Sequence, residues 1–72
     1  MRDIRDPIGR RVRDLRLQHA LTQAELAERA GISRNTLIEL EQDSRPARPA
    51  TVRKVAAALG VKPVRLTIGI TD

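Results

Sequence analysis

Apolar residues recur at helical spacing in two short segments near the middle of the chain. The positions that share one face are Leu26, Ala27 and Ala30 in the first segment and Leu37 and Leu40 in the second. Polar and charged residues occupy most of the positions between them. The pattern predicts two short amphipathic helices, at residues 23–30 and 34–42.

The residues that flank these two helices carry signals for helix ends and for a tight turn. Thr22 and Glu25 match a T-x-x-E capping box, in which each side chain bonds a backbone N–H at the start of the helix. Gly31 can end the first helix with a positive φ, and Ser33 can cap the second. The segment is therefore a predicted helix-turn-helix, whose second helix can present its N-terminal residues to a DNA major groove.

A further helix is predicted before this motif, from Asp6 and Pro7 to Gln18–His19. Asp6 suits the N-cap position, and Pro7 suits the first helical position, where its missing N–H costs nothing. The inward stripe of this helix consists of Ile8, Val12 and Leu15. Residues 1–5 precede the helix and are predicted to fray, and Leu21 is expected to enter the core after it.

Two more helices are predicted after the motif, beyond a proline-stiffened loop at residues 44–49. The longer helix begins at Pro49 or Ala50 and ends at Leu59, because a glycine follows. Its inward residues are Val52, Val55, Ala56 and Leu59. Residues 62–66 can form one more short helical turn. The 72 residues make one small domain, and we predict an all-α, compact bundle of about five short helices around the central helix-turn-helix.

The C-terminal residues follow a different pattern, in which Leu66, Ile68 and Ile70 alternate with polar residues or glycine. This period of two is typical of a short strand. A strand at residues 67–72 has no partner inside a helical bundle, so it would pair with its copy in a second subunit. The alternative is a disordered tail whose isoleucines pack loosely on the last helices.

The charge balance indicates a polyanionic partner. Fourteen Lys and Arg residues against nine Asp and Glu residues give a formal charge of +5, and twelve of the cations are arginine. The planar fork of arginine suits phosphates and guanine edges. The chain has no aromatic residue, so it cannot build the base-stacking platforms that bind RNA loops and single strands. Double-stranded DNA is therefore favoured.

Composition also disfavours several other classes of protein. The chain has no cysteine and a single histidine, His19, so we expect no disulfide, no metal cluster and no cofactor. It has no glycine-rich phosphate loop and no catalytic constellation, which argues against an enzyme. No apolar run approaches the ~20 residues that span a bilayer. The first residues lack the core of a signal peptide, and we expect a cytoplasmic protein.

Several residues of the motif carry a resemblance to a known family. They are Gln23, Leu26-Ala27, Ala30-Gly31-Ile32-Ser33 and Leu40-Glu41. With these residues the chain resembles the Xre/Cro-like family of phage-repressor helix-turn-helix domains, from about Ile8 to Leu66, and the resemblance implies a lambda-repressor-like fold. Ala20 and Asp43 stand where family members usually carry glycine. We expect a less left-handed chain at Ala20 and a retained turn at Asp43, because aspartate tolerates the left-handed region.

The candidates for base contact lie on the second motif helix. Arg34 can bond guanine O6 and N7 together, and Asn35 can bond adenine N6 and N7. Thr36 lies in the same first turn, and Glu39 one turn later can accept from cytosine N4 or repel phosphate. Alternatively, all four are ordinary solvated residues of a helix surface. We favour DNA contact for Arg34 and Asn35, and both interpretations stay open for Thr36 and Glu39.

Four other residues are candidates for phosphate contact. The resemblance implies that Gln23 bonds a backbone phosphate at the N-terminus of the first motif helix and buttresses the second. Thr22 is primarily a cap, although its hydroxyl can do both. Arg45 and Arg48 follow the second motif helix and can meet phosphates beside the groove, or they only make the loop soluble.

The resemblance also implies an ion pair between Arg16 and Glu41, near the ends of the first and third predicted helices. A partly buried pair pays desolvation on both sides, so its net stabilisation can be small, but removing one partner is costly. We therefore interpret the pair as structural. It would fix the second motif helix relative to the bundle and serve DNA binding only indirectly.

Together these features predict a sequence-specific transcriptional repressor that binds a near-palindromic operator in double-stranded DNA as a homodimer. Its half-sites would lie about 34–36 Å apart, or a multiple of this distance. The alternative is an antitoxin-like or accessory module in which the tail at Leu66–Asp72 binds a protein partner. The first hypothesis predicts a dimeric chain, and the second predicts a monomeric one.

Overall fold

A computed structural model describes residues 8–44 and 46–67 of the chain, and these residues form five helices. The helices are α1 (Ile8–Gln18), α2 (Gln23–Ala30), α3 (Arg34–Glu41), α4 (Pro49–Leu59) and α5 (Val64–Thr67). No strand occurs within the described residues. The prediction of an all-α bundle of about five short helices is therefore confirmed.

The core forms where α2 packs against α4, and α1, α3 and α5 close around it. The buried apolar residues are Val12, Leu15, Leu21, Leu26, Ala27, Ala30, Leu37, Leu40, Val52, Val55, Ala56, Leu59 and Leu66. They include every inward position that the sequence predicts for α2, α3 and α4. In the stripe of α1, Ile8 is only half-buried. Pro49 occupies the first helical position of α4, and Gly60 ends this helix with φ +71°, as predicted.

The predicted capping box opens α2. The Glu25 N–H donates to Thr22 Oγ1 over 3.0 Å, and the Thr22 N–H donates to the Glu25 carboxylate over 2.8 Å. The bond from the Thr22 backbone holds the pKa of Glu25 below its ordinary value. Gly31 follows α2 with φ +70°, and the Ser33 hydroxyl accepts from the Thr36 N–H at the start of α3. The turn between α2 and α3 is therefore fixed by local bonds at both ends.

Helix α1 is followed by a left-handed residue at Ala20, contrary to the expectation of a weaker left-handed turn. The φ of Ala20 is +56°. The Leu21 N–H donates to Arg16 O, and the Ala20 N–H donates to Leu17 O, both over 3.0 Å, which are the two bonds of a Schellman motif. Leu21 is also buried, and burial and hydrogen bonding together hold Ala20 in a conformation that is unfavourable for a residue with a Cβ.

We expect Ala20→Gly to raise the free energy of unfolding by about 0.5–1 kcal/mol, because glycine removes the steric conflict of a Cβ at positive φ. Urea unfolding followed by circular dichroism measures the difference. Ala57→Gly is the matched control: Ala57 is exposed inside α4, where the same change should lower the free energy by about 1 kcal/mol. A lower unfolding midpoint for Ala20→Gly would contradict the steric argument.

The C-terminal end of α3 meets the N-terminal end of α1. Asp43 has φ +54°, and the Ser44 N–H donates to Glu39 O over 3.1 Å, so the turn is retained with aspartate at the left-handed position. Asp43 Oδ1 also accepts from the Gly9 N–H over 3.1 Å, although the two residues are 34 positions apart. Asp43 therefore takes the left-handed position after α3 and accepts a hydrogen bond from the first turn of α1.

Gly9 permits the close approach of these two helices. It is buried, and a Cβ added to it would collide with the carbonyl oxygen of Leu40 and lie 2.6 Å from that of Glu41. The positive end of the α1 dipole therefore faces the last carbonyls of α3 and the Asp43 carboxylate. This contact sets the distance between α1 and the end of α3.

The predicted helical turn at residues 62–66 corresponds to α5, and Leu66 is fully buried in the core. Of the possible C-terminal strand at residues 67–72, only Thr67 is described, and it belongs to α5. The choice between a strand and a tail at residues 68–72 stays a prediction. Residues 68–72 lie outside the described residues, as do residues 1–7, with their predicted fraying and the Asp6–Pro7 helix start, and Arg45.

Candidate nucleic-acid interface

The first turn of α3 is polar and faces outward. Arg34 and Asn35 are exposed, whereas Leu37 is completely buried. Asn35 lies opposite Leu37, and Arg34, three residues before Leu37, lies at the edge of the buried face. Thr36 is half-buried, and its Oγ1 accepts from the Ser33 hydroxyl over 2.8 Å. Ser33 also caps the helix through the Thr36 backbone N–H. The Thr36 side chain is therefore oriented by the cap, and its own O–H proton is left to donate.

A cleft of about 500 Å³ borders this turn, between α3 and the first half of α4. We call it the α3–α4 cleft. Its polar lining consists of Ser33, Thr36, Glu39, Arg48, Thr51 and Lys54. The structure thus brings two of the predicted base contacts, Thr36 and Glu39, to the same cleft as the predicted phosphate contact Arg48.

Arg16 and Glu41 form a two-pronged ion pair. Arg16 Nε lies 2.7 Å from Glu41 Oε2, and the second guanidinium nitrogen, Nη2, donates to Glu41 Oε1 over 3.0 Å. The remaining nitrogen, Nη1, donates to Leu21 O over 2.9 Å. The Arg16 side chain is 11% exposed and the Glu41 side chain 4%. The pair thus ties α1, the chain after α1, and the end of α3 together in a nearly water-free position.

Gln23 joins this pair and so supports α3, as the resemblance implies, although the sequence did not identify Glu41 as its partner. Gln23 Nε2 donates to Glu41 Oε1 over 3.1 Å. We call Arg16, Gln23 and Glu41 the Glu41 cluster. Since an amide nitrogen carries two protons, Gln23 keeps a second N–H and its carbonyl oxygen for another partner. The two residues are 18 positions apart, so no local sequence pattern points to the bond.

The remaining predicted contacts are distributed around these features. Thr22 is exposed, and its hydroxyl already accepts the Glu25 N–H of the capping box. Arg48 is exposed at the N-cap of α4, and its side chain makes no cap hydrogen bond. Arg45 lies outside the described residues. The surface around α3 therefore combines exposed donors with a rigid, buried anchor behind them.

The described part of the chain offers no arrangement for a metal ion, since no group of three or more His, Cys, Asp or Glu residues comes together in it. Its helices are also too short or too polar for any of them to cross a bilayer.

Comparison with known proteins places this arrangement among helix-turn-helix domains. A family model described as HTH_3, helix-turn-helix, matches residues 12–66. Among curated proteins, the chain is similar to the immunity repressor protein of Bacillus phage phi105, with 38% identity over 55 residues. That match covers 76% of this chain and 38% of the repressor. The chain spans about two fifths of the length of the curated relatives it matches.

Two solved structures show the same arrangement of helices. The restriction-modification controller protein C.AhdI from Aeromonas hydrophila has a TM-score of 0.80 and 32% identity, over 83% of this chain and 91% of that protein. SinR from Bacillus subtilis, the master regulator for biofilm formation, has been solved in complex with DNA. Its match has a TM-score of 0.77 and 30% identity, over 82% of this chain and 95% of the SinR chain.

Proposed function

Because the chain belongs to the HTH_3 family of helix-turn-helix domains, we propose that it is a sequence-specific transcriptional repressor that inserts α3 into the major groove of double-stranded DNA. Family membership confirms the Xre/Cro-like interpretation of the sequence. It also supports the predicted class, DNA-binding transcription regulators rather than enzymes. Repression in particular is supported by the similarity to a phage immunity repressor.

The observation that carries this proposal is the outward-facing first turn of α3. Its exposed Arg34 and Asn35 stand on a helix whose other face is locked into the core by Leu37 and Leu40. The backbone that carries these donors is therefore ordered before DNA binds, so mainly side-chain entropy is lost when they meet base edges. The similarity to SinR, which has been solved in complex with DNA, supports DNA as the partner of this domain.

Each candidate on α3 is assigned to bases by its chemistry. Arg34 would read guanine through O6 and N7, and Asn35 would read adenine through N6 and N7. The Thr36 hydroxyl, which accepts from Ser33, would donate its proton to a base or a phosphate. Glu39 would accept from the amino group of cytosine.

The phosphate contacts would flank this reading surface. Gln23 would use the N–H that Glu41 leaves unoccupied, at the N-terminus of α2, where the helix dipole favours an anion. Thr22 would add its hydroxyl, and Arg45 and Arg48 would bind phosphates on the other side of α3. These contacts carry no sequence information, but they fix the orientation of the domain on the duplex.

We further propose that the repressor works in the cytoplasm as a homodimer on a near-palindromic operator. One domain of this size contacts few base pairs, so two copies are needed for useful specificity. The rival hypothesis is that the tail binds a protein partner. Leu66 cannot take part in such binding, because its side chain is fully buried in the core. Residues 68–72 would have to supply that binding alone.

Selection from a pool of random duplex DNA at two salt concentrations tests the proposed function. We expect a palindromic motif to be enriched, and we expect Arg34→Ala and Asn35→Ala each to lower discrimination at particular bases by about 1–3 kcal/mol. Arg53→Ala is the matched control, because Arg53 is exposed on α4 and does not line the α3–α4 cleft. Two results would refute base reading by α3. One is that no motif is enriched, and the other is that the wild type and all variants enrich the same motif with the same discrimination at every base.

A further inference from the structure

The two walls of the α3–α4 cleft differ in chemistry. Ser33, Thr36 and Glu39 line the α3 side, and Arg48, Thr51 and Lys54 line the α4 side. The α3 side belongs to the helix that we place in the major groove. The α4 side therefore faces the border of that groove, which in B-DNA is a sugar-phosphate strand.

The α4 wall is basic and continuous. Arg48, Thr51 and Lys54 follow one another at intervals of three, which places their side chains along one side of the helix. Lys54 is exposed and Thr51 is half-buried. Within residues 8–44 and 46–67, neither Arg48 nor Lys54 is engaged by a carboxylate. Their charges are therefore available to an anion that enters the cleft.

The cations of the cleft stand on one wall. Among the described lining residues, the α3 side contributes the Glu39 carboxylate and the hydroxyls of Ser33 and Thr36, whereas Arg48 and Lys54 are on the α4 side. Lys54 and the Thr51 hydroxyl on the opposite side offer donors that suit phosphate oxygens. A nucleic-acid strand in the cleft is therefore favoured on the α4 side, with its bases directed toward α3.

We propose that the α3–α4 cleft seats the sugar-phosphate strand bordering the major groove, and that Lys54 and Thr51 bind its phosphates. This inference rests on the proposed function. It extends the phosphate-binding surface from the loop before α4 into the second turn of that helix. Lys54 would act as a point charge whose contribution to DNA affinity falls as the salt concentration rises. Thr51 would add a directional hydrogen bond.

The test compares Lys54→Gln with Lys62→Gln in duplex-binding titrations over a range of salt concentrations. Both changes remove one exposed lysine charge, but Lys62 lies beyond the C-terminal end of α4, outside the cleft. We expect Lys54→Gln to reduce the slope of log affinity against log salt by about 0.9, the share of one phosphate contact. Lys62→Gln should leave the slope unchanged, and circular dichroism should show the wild-type fold for both.

A second measurement locates the phosphate. Single neutral methylphosphonates are placed along the duplex backbone, and the affinity of each duplex is measured with the wild type and with Lys54→Gln. One position should weaken the wild type and leave Lys54→Gln unaffected. Equal salt slopes for Lys54→Gln and Lys62→Gln would overturn the inference while the proposed function stands. Failure of the wild type to bind any duplex would instead overturn the proposed function, and this inference with it.

Discussion

Glu41→Ala is expected to lower the free energy of unfolding by about 3–5 kcal/mol, the cost of leaving one member of a buried ion pair alone. The substitution strands the Arg16 guanidinium, whose side chain is only 11% exposed, and leaves it a single described acceptor, Leu21 O. It also removes the acceptor of Gln23 Nε2. For a small domain this loss is a large part of the total stability, which is about 5–15 kcal/mol in native proteins.

Urea unfolding followed by circular dichroism measures this loss, with Glu28→Ala as the control. Glu28 is an exposed glutamate on α2, and its replacement should change the free energy by less than about 0.5 kcal/mol. The double variant Arg16→Met with Glu41→Leu removes both charges at once and should recover most of the stability, because an apolar pair avoids the stranded cation. If Glu41→Ala unfolds at the same midpoint as Glu28→Ala, the pair does not anchor α3.

Gly9→Ala is expected to destabilise the domain by about 1–3 kcal/mol, as overpacking of a close contact does. Alanine favours a helix over glycine by about 1 kcal/mol, so the expected sign is opposite to that of an ordinary helical glycine. The cause is steric: the new Cβ would collide with the Leu40 carbonyl oxygen and lie 2.6 Å from that of Glu41. Relief requires α1 to move away from α3, which also stretches the bond from the Gly9 N–H to Asp43.

Thermal and urea unfolding of Gly9→Ala, compared with Arg10→Ala, test this contact. Arg10 is the next residue of α1 and is exposed, so its truncation should have little effect. A change in the resonances of Asp43 in an NMR spectrum would report the loss of its bond from the N–H of residue 9. Stabilisation of the domain by Gly9→Ala would mean that the helices separate at no cost and that the close approach is not required.

The helices of this domain could be predicted from sequence because their end signals are local. Thr22 with Glu25, and the glycines at 31 and 60, need only near neighbours to act, and the structure shows them acting as caps and left-handed stops. The inward stripes of α2, α3 and α4 follow from helical periodicity in the same way. These features are decided by interactions within one or two turns of the chain.

Other features depend on partners far away in sequence and left no local trace. The bond from Gly9 to Asp43 spans 34 residues, and the bond from Gln23 to Glu41 spans 18. At Ala20 the preference of the residue type was misleading, because the burial of Leu21 and the two Schellman bonds hold it in the left-handed conformation. At Thr67 the alternating pattern allowed a strand to begin, but the helical turn predicted at residues 62–66 extends through this residue.

The candidate site was predictable in part for the same reason. The outward position of Asn35 follows from the buried positions of Leu37 and Leu40 on the same helix, which the sequence pattern gives. Arg34 lies at the edge of that buried face, and its exposure follows from its place at the start of the helix. The α4 wall of the cleft could not be predicted in this way. Thr51 and Lys54 line the same cleft as α3 only because of how α4 packs in the folded domain. Tertiary placement, rather than residue type, makes them candidates.

Because the two motif helices are short, the proposed DNA recognition depends on the folding of the whole domain. Helices α2 and α3 have eight residues each, and isolated helices shorter than about 12–15 residues are marginal in water. The reading surface on α3 therefore exists only while α1 and α4 support it, and the fraction of molecules competent to bind equals the fraction that is folded. By mass action, the proposed DNA ligand, if it binds only the folded chain, would also stabilise the fold and protect the domain from unfolding and from proteolysis of the unfolded chain.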